Sequence, residues 1–202
     1  MKRRMVHLFA AALSLFALTF GAASSAFAGP ATDVVKTKQA SLFNLLKQPG
    51  GDSQKKIDAI FDDMLDYQAL AQGSLGTEWA ARSDADKAQF SSLLKQLVQK
   101  AYERNLKKII DYDVNYVGED AAGSAVMVKT QSKAKGGDAR AEPIEITFKV
   151  AQSGGKWKVN DIVTEGVSLV SSYRSQFTKI IKKDGFPTLI QKMKDKLAKG
   201  GV

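Results

Sequence analysis

Between Val114 and Val163 apolar residues recur at every second position, whereas on both sides of that block they recur at every third or fourth. Strand side chains alternate between two faces and helix side chains return every 3.6 residues, so the double change of period predicts helices, then strands, then helices. The first helix is predicted over 32–47, with Val34, Val35, Leu42, Phe43, Leu45 and Leu46 on its stripe, and it stops at Pro49-Gly50-Gly51. Asp52 or Ser53 opens a second, carrying Ile57, Ile60, Phe61, Met64 and Leu65, and a short third runs from Tyr67 to Ala71. Ser83 with Asp86 resembles a capping box in which Asp replaces the usual Glu. A long helix follows it, with Phe90, Leu93, Leu94, Leu97, Val98, Ala101, Tyr102, Leu106, Ile109 and Ile110.

Four strand-like runs come next: one at Val114 and Tyr116, one from Val126 to Thr130, one from Ile144 to Val150, and one from Trp157 to Val163. Gly118–Gly123, Lys135–Asp138 and Gly154-Gly155 separate them at hairpin-like distances, which predicts an antiparallel sheet with one apolar face. After Gly166 the helical period returns in Val167, Leu169, Val170, Tyr173, Phe177, Ile180 and Ile181, and a last helix is opened by Pro187. The expected fold class is α+β: a twisted four-stranded antiparallel sheet with helices on one face.

The leader narrows the chemistry. Lys2, Arg3 and Arg4 precede an apolar run from Met5 to Phe20, and Ala26-Phe27-Ala28 is a small-x-small cleavage pattern. The run is short for a bilayer span of about 20 residues, so residues 1–28 are expected to be a signal peptide cleaved after Ala28, with 29–202 as one exported domain. The single histidine, His7, lies in that leader, and there is no cysteine. The remaining chain therefore has no Ser–His or Cys–His nucleophile, no His or thiolate metal site, no disulfide and no lipid-bearing cysteine. It also lacks a P-loop and a dinucleotide-binding glycine motif. No catalysis, metal or cofactor is expected.

Three of the 30 basic residues and none of the 21 acidic ones lie in the leader, so the exported part stays positive. Such a balance favours encounter with anionic partners, and an exported protein has little occasion to meet nucleic acid. Asp58, Asp62 and Asp66 fall on one helical face with Asp63 beside them; this is a solvated acidic face unless it holds a hard cation. Lys179, Lys182, Lys183, Lys192, Lys194, Lys196 and Lys199 are either a solvated face or a docking face for an acidic partner. Periodicity alone does not distinguish a packed interior from a lined cavity.

The stretch from Trp157 to Phe177 bears on that question. Trp157-Lys158-Val159-Asn160-Asp161 followed by Glu165-Gly166-Val167-Ser168-Leu169-Val170 and Tyr173-Arg174-Ser175-Gln176-Phe177 resembles the W-K-V-x-D, E-G-V-S-L-V and Y-R-x-x-F series of the MlaC family, also described as the toluene-tolerance auxiliary component. Leu75-Gly76-Thr77-Glu78-Trp79 is similar to that family's L-G-x-x-W. Two departures are Ser172, where the family often has Asn, and a longer, more basic hairpin at Gly136-Gly137.

The resemblance implies a cystatin/nuclear-transport-factor-like scaffold and a periplasmic phospholipid carrier that shuttles lipid between outer and inner membranes. It also implies two kinds of partner: an outer-membrane lipoprotein–porin complex and an inner-membrane ABC transporter with an MCE-domain ring. By side-chain direction, Val128, Ile146, Phe148 and Val150 would line an acyl-chain slot from the sheet, and Leu94, Val98, Tyr102, Val167, Leu169, Tyr173 and Phe177 from the helices. Arg174 is the candidate for the headgroup, while Trp79 and Trp157 are expected to anchor packing. Three other readings stay open: a carrier of another apolar ligand such as a hopanoid, an enzyme on the same scaffold using Asp161, and an adaptor with a filled core.

Overall fold

A computed structural model describes residues 29–138 and 140–200; the leader and His7 lie outside the described residues. The elements run α1 Pro30–Lys47, α2 Ser53–Met64, α3 Tyr67–Leu75, α4 Asp84–Lys108, β1 Tyr112–Ala122, β2 Ala125–Ala134, β3 Ile144–Ser153, β4 Lys156–Thr164, β5 Val167–Ser168, α5 Leu169–Asp184 and α6 Phe186–Ala198. The strands form one antiparallel sheet in the order β1-β2-β3-β4-β5. The class is α+β as expected, with five strands rather than four.

The fifth strand has a local cause. Glu165 (φ 49°) and Gly166 (φ 75°) both take positive φ, as the two central residues of a type I′ hairpin turn do. Thr164 therefore pairs with Val167 before the helical stripe begins, and α5 starts two residues later than the apolar period suggests. Gly118 also departs from the expected layout: it sits inside β1 beside a register shift at Val117, and the turn to β2 is only Gly123-Ser124.

A bulge in β4 decides which residues face the helices. Val150 pairs with Val159 and Lys149 with Asp161, which leaves Asn160 unpaired. Strict alternation from Trp157 and Val159 puts Asp161 on the apolar face; the extra residue turns it away and brings Ile162 round instead. Val128, Phe148, Val150, Val159 and Ile162 are accordingly buried. Across from them lie Val35 and Leu42 of α1, Phe61 of α2, and Leu94, Val98, Tyr102 and Leu106 of α4, all in one apolar cluster.

Of the two predicted helix caps one holds, since Asp52 precedes α2 without a side-chain cap bond. Ser83 accepts from the Asp86 N–H at 3.1 Å at the start of α4. The acidic ladder is already employed: Asp66 caps α3 through the Ala69 N–H, Asp62 pairs with Lys95 at 2.6 Å, and Asp63 pairs with Lys38 and Lys156. These two lysines hold the Asp63 carboxyl down to about 2. Among the described residues no group of acidic side chains is arranged to hold a metal ion.

Candidate lipid-binding cleft

The motif residues of the β4–α5 corner build one wall of an apolar cleft. Asp161, turned outward by the bulge, accepts from the Ser168 hydroxyl at 2.6 Å, from the Val170 N–H at 3.1 Å and from the Ile162 N–H at 2.8 Å. Ser168 Oγ in turn accepts from the Ser171 N–H at 3.0 Å. Two orphan donors of the first turn of α5 are thus satisfied, one by each side chain. This network aims the start of α5 across β4 and explains why Asp161, a helix cap, belongs to the W-K-V-x-D motif.

On the opposite wall, Val98, Ala101, Tyr102 and Asn105 share one face of α4 at i, i+3, i+4 and i+7. Between the walls is a cleft of about 200 Å³, floored by Ile162 and Thr164 and flanked by Val167, Leu169 and Ser172. Val167 is 62% exposed, an apolar side chain held out at the mouth. The N-terminal half of α4 is pinned away from the opening, where Phe90 meets Phe177 edge-on at 5.5 Å and Phe186 at 6.4 Å.

At the inner wall the Tyr102 ring stands 5.4 Å from Phe61 and 6.3 Å from Phe148. Its hydroxyl accepts from Gln39 Nε2 at 3.3 Å, and Gln39 Oε1 accepts from the Tyr116 hydroxyl at 2.6 Å. Burial pushes the Tyr102 and Tyr116 hydroxyls above the usual phenol range, so both stay neutral and able to donate.

Of the residues expected to line the slot, Val98, Tyr102, Val167 and Leu169 line this cleft. Leu94, Val128, Phe148, Val150 and Phe177 are buried in packed core. Ile146 is half-buried on the sheet beside Thr164, and Tyr173 stacks on Phe177 at 5.1 Å. Arg174 is placed elsewhere: its Nε donates to the Gly73 carbonyl at 2.7 Å, and it borders a separate polar depression with Lys149, Asn160 and Asp161. Gly76 and Gly73 leave it room, and a Cβ on Gly73 would stand 2.8 Å from Val170 Cγ1. Trp79 and Trp157 pack against the core at its edge.

Ala101 was legible as part of the α4 stripe, whereas Asn105, a polar residue one turn further along the same face, was not. Ile162, Thr164 and Ser172 were not, because their direction depends on the bulge and on the β5 turn. All seven C-terminal lysines are exposed, and among the described residues none has a carboxylate in ion-pair range.

A family model described as MlaC protein matches residues 33–195. The chain belongs to the MlaC family. The intermembrane phospholipid transport system binding protein MlaC of Haemophilus influenzae is 26% identical over 137 residues, a match that covers 65% of this chain and 64% of that protein. The chain thus spans 64% of the length of that relative. The phospholipid-binding protein of Ralstonia solanacearum, solved in complex with a phospholipid, is 24% identical and superposes with a TM-score of 0.71 over 86% of this chain and 100% of its own. It shows that the two share a fold. Among the described residues no helix is long and apolar enough to cross a membrane.

Proposed function

We propose that this MlaC-family protein is a non-enzymatic phospholipid carrier, exported to the periplasm after cleavage at Ala28, that takes the acyl chains of its cargo through the cleft between α4 and the β4–α5 corner. The observation that carries the proposal is an apolar opening, lined by Val98, Ala101, Leu169 and Ile162, that leads from solvent toward the interior of a phospholipid-binding fold. The physical need for such a device is large. Two acyl chains with about 30 methylenes between them expose roughly 25 kcal/mol of apolar surface to water, at about 0.8 kcal/mol per methylene. Transfer across an aqueous gap therefore requires a slot of comparable apolarity.

At about 200 Å³ the cleft is smaller than the roughly 300–1,000 Å³ usual for ligand sites, so loading requires it to deepen. The C-terminal half of α4 is the element to move on this reading: α4 is pinned to α5 near Phe90, at its other end, while the half beside the cleft is held by the core contacts of Val98, Tyr102 and Leu106. The exposed lysines of α5 and α6 suit acidic surfaces on the membrane-bound partners at either end of the route, an outer-membrane lipoprotein–porin complex and an inner-membrane MCE-domain transporter.

Organic extraction of the purified protein followed by mass spectrometry tests the reading. Near-stoichiometric diacyl phospholipid is the expected result. A hopanoid or sterol would replace the cargo, and an extract without lipid from a protein that also loads none from vesicles would remove the carrier reading.

A further inference from the structure

On the reading of the cleft as an acyl-chain site, we propose that Tyr102 is its gate, latched shut by a buried hydrogen-bond chain through Gln39 to Tyr116. Tyr102 is the one cleft-lining residue whose ring also touches the centre of the core, next to Phe61 and Phe148. Deepening the cleft toward the sheet means moving that ring. Its hydroxyl is tied to Gln39, only 1% exposed, and both edges of the Gln39 amide are used, one for Tyr102 and one for Tyr116. The chain therefore joins α4, α1 and β1 across the interior end of the cleft.

A chain of neutral hydrogen bonds in apolar surroundings acts as a catch. It is directional and short-ranged, and once Tyr102 swings away the Gln39 Nε2 donor is left unpaired until water or another group reaches it, while Gln39 Oε1 keeps the Tyr116 hydroxyl.

The test is the rate at which lipid-free protein takes up a fluorescent acyl-labelled phosphatidylglycerol from phosphatidylcholine vesicles. Tyr102→Phe keeps the ring and removes the latch, and uptake should quicken about fivefold to tenfold. The triple variant Tyr102→Phe, Gln39→Leu, Tyr116→Phe strands no polar atom of the chain; it should fold and quicken similarly, which keeps the test open if the single variant is unstable. Ile57→Val thins the core on α2 without altering the chain, and its uptake should match the wild type. Equal rates for wild type and both latch variants, or an equal gain for Ile57→Val, overturn the gate while leaving the carrier intact. A wild type that takes up no lipid removes the carrier reading and the gate with it.

Discussion

Asp161→Ala should be the most damaging polar substitution at the β4–α5 corner, and its cost follows from the bonds it removes. The carboxylate bridges two elements through the Ser168 hydroxyl and the Val170 N–H; its third bond, to the adjacent Ile162 N–H, is local and water can replace it. A hydrogen bond to a charged group contributes about 1.5–3 kcal/mol net. Because Asp161 is half-buried and water partly reaches the stranded donors, the lower end applies, giving about 3 kcal/mol for the two bridging bonds. For a domain of this size that corresponds to a fall of about 6–12 °C in Tm. Asp161→Asn keeps the shape and one acceptor and should cost about half as much. Ser168→Ala removes the companion cap for about 1 kcal/mol, and the double variant should lose less than the sum, since the two side chains bond each other. Urea and thermal unfolding followed by circular dichroism measure all four. An Asp161→Ala protein within about 0.5 kcal/mol of wild type would refute the capping role and reopen a chemical one for this carboxylate.

Three further outcomes are expected. Ala101→Trp fills the cleft from its α4 wall and should abolish lipid loading, while a side chain able to lean toward the open mouth keeps the stability change under about 1.5 kcal/mol; lipid extraction and thermal unfolding read the two effects. Gly73→Ala gains helix propensity but drives a methyl to 2.8 Å from Val170, so the α3–α5 seam must shift and unfolding should show a net loss of about 1–2 kcal/mol. The Asp63 carboxyl, lowered to about 2 from 3.8 by Lys38 and Lys156, adds stability that is complete above the ordinary value and is lost as pH falls through the lowered one. Its side chain is 39% exposed, so screening keeps the contribution below about 1 kcal/mol, and Asp63→Asn should flatten that much of the stability curve between pH 5 and 2.

The layout of helices, sheet and helices was legible because long stripes such as Phe90 to Leu106 and Ile144 to Val150 suit only one period each. The face of Asp161 and Ile162 was not, because a single bulge residue, Asn160, reverses the parity of everything after it and leaves no mark in hydropathy. The same holds for β5: a Gly in the second turn position suggests a turn, but Glu165 at positive φ is a residue that pattern reading assigns to ordinary backbone. On the candidate site, α4 was the readable wall, with Val98 and Tyr102 on the stripe that also carries Ala101. The sheet wall was less readable because Val128, Phe148 and Val150 share one face with Ile162, and alternation does not say which members of a face meet packed neighbours and which meet open space. The motif series from Trp157 to Phe177 pointed to the right family, yet its residues serve different ends: Asp161 caps a helix, Arg174 ties α5 to α3, and Val167 with Leu169 shapes the cleft.

A crystal structure of the protein carrying the lipid it retains through purification examines the acyl-chain site most directly. Hydrocarbon density should pass between Ala101 and Leu169, cross the present position of the Tyr102 ring, and continue toward Phe148, with the headgroup outside near Val167. Acyl chains held on another face, with the space between α4 and β4 still closed as it is now, would contradict the account.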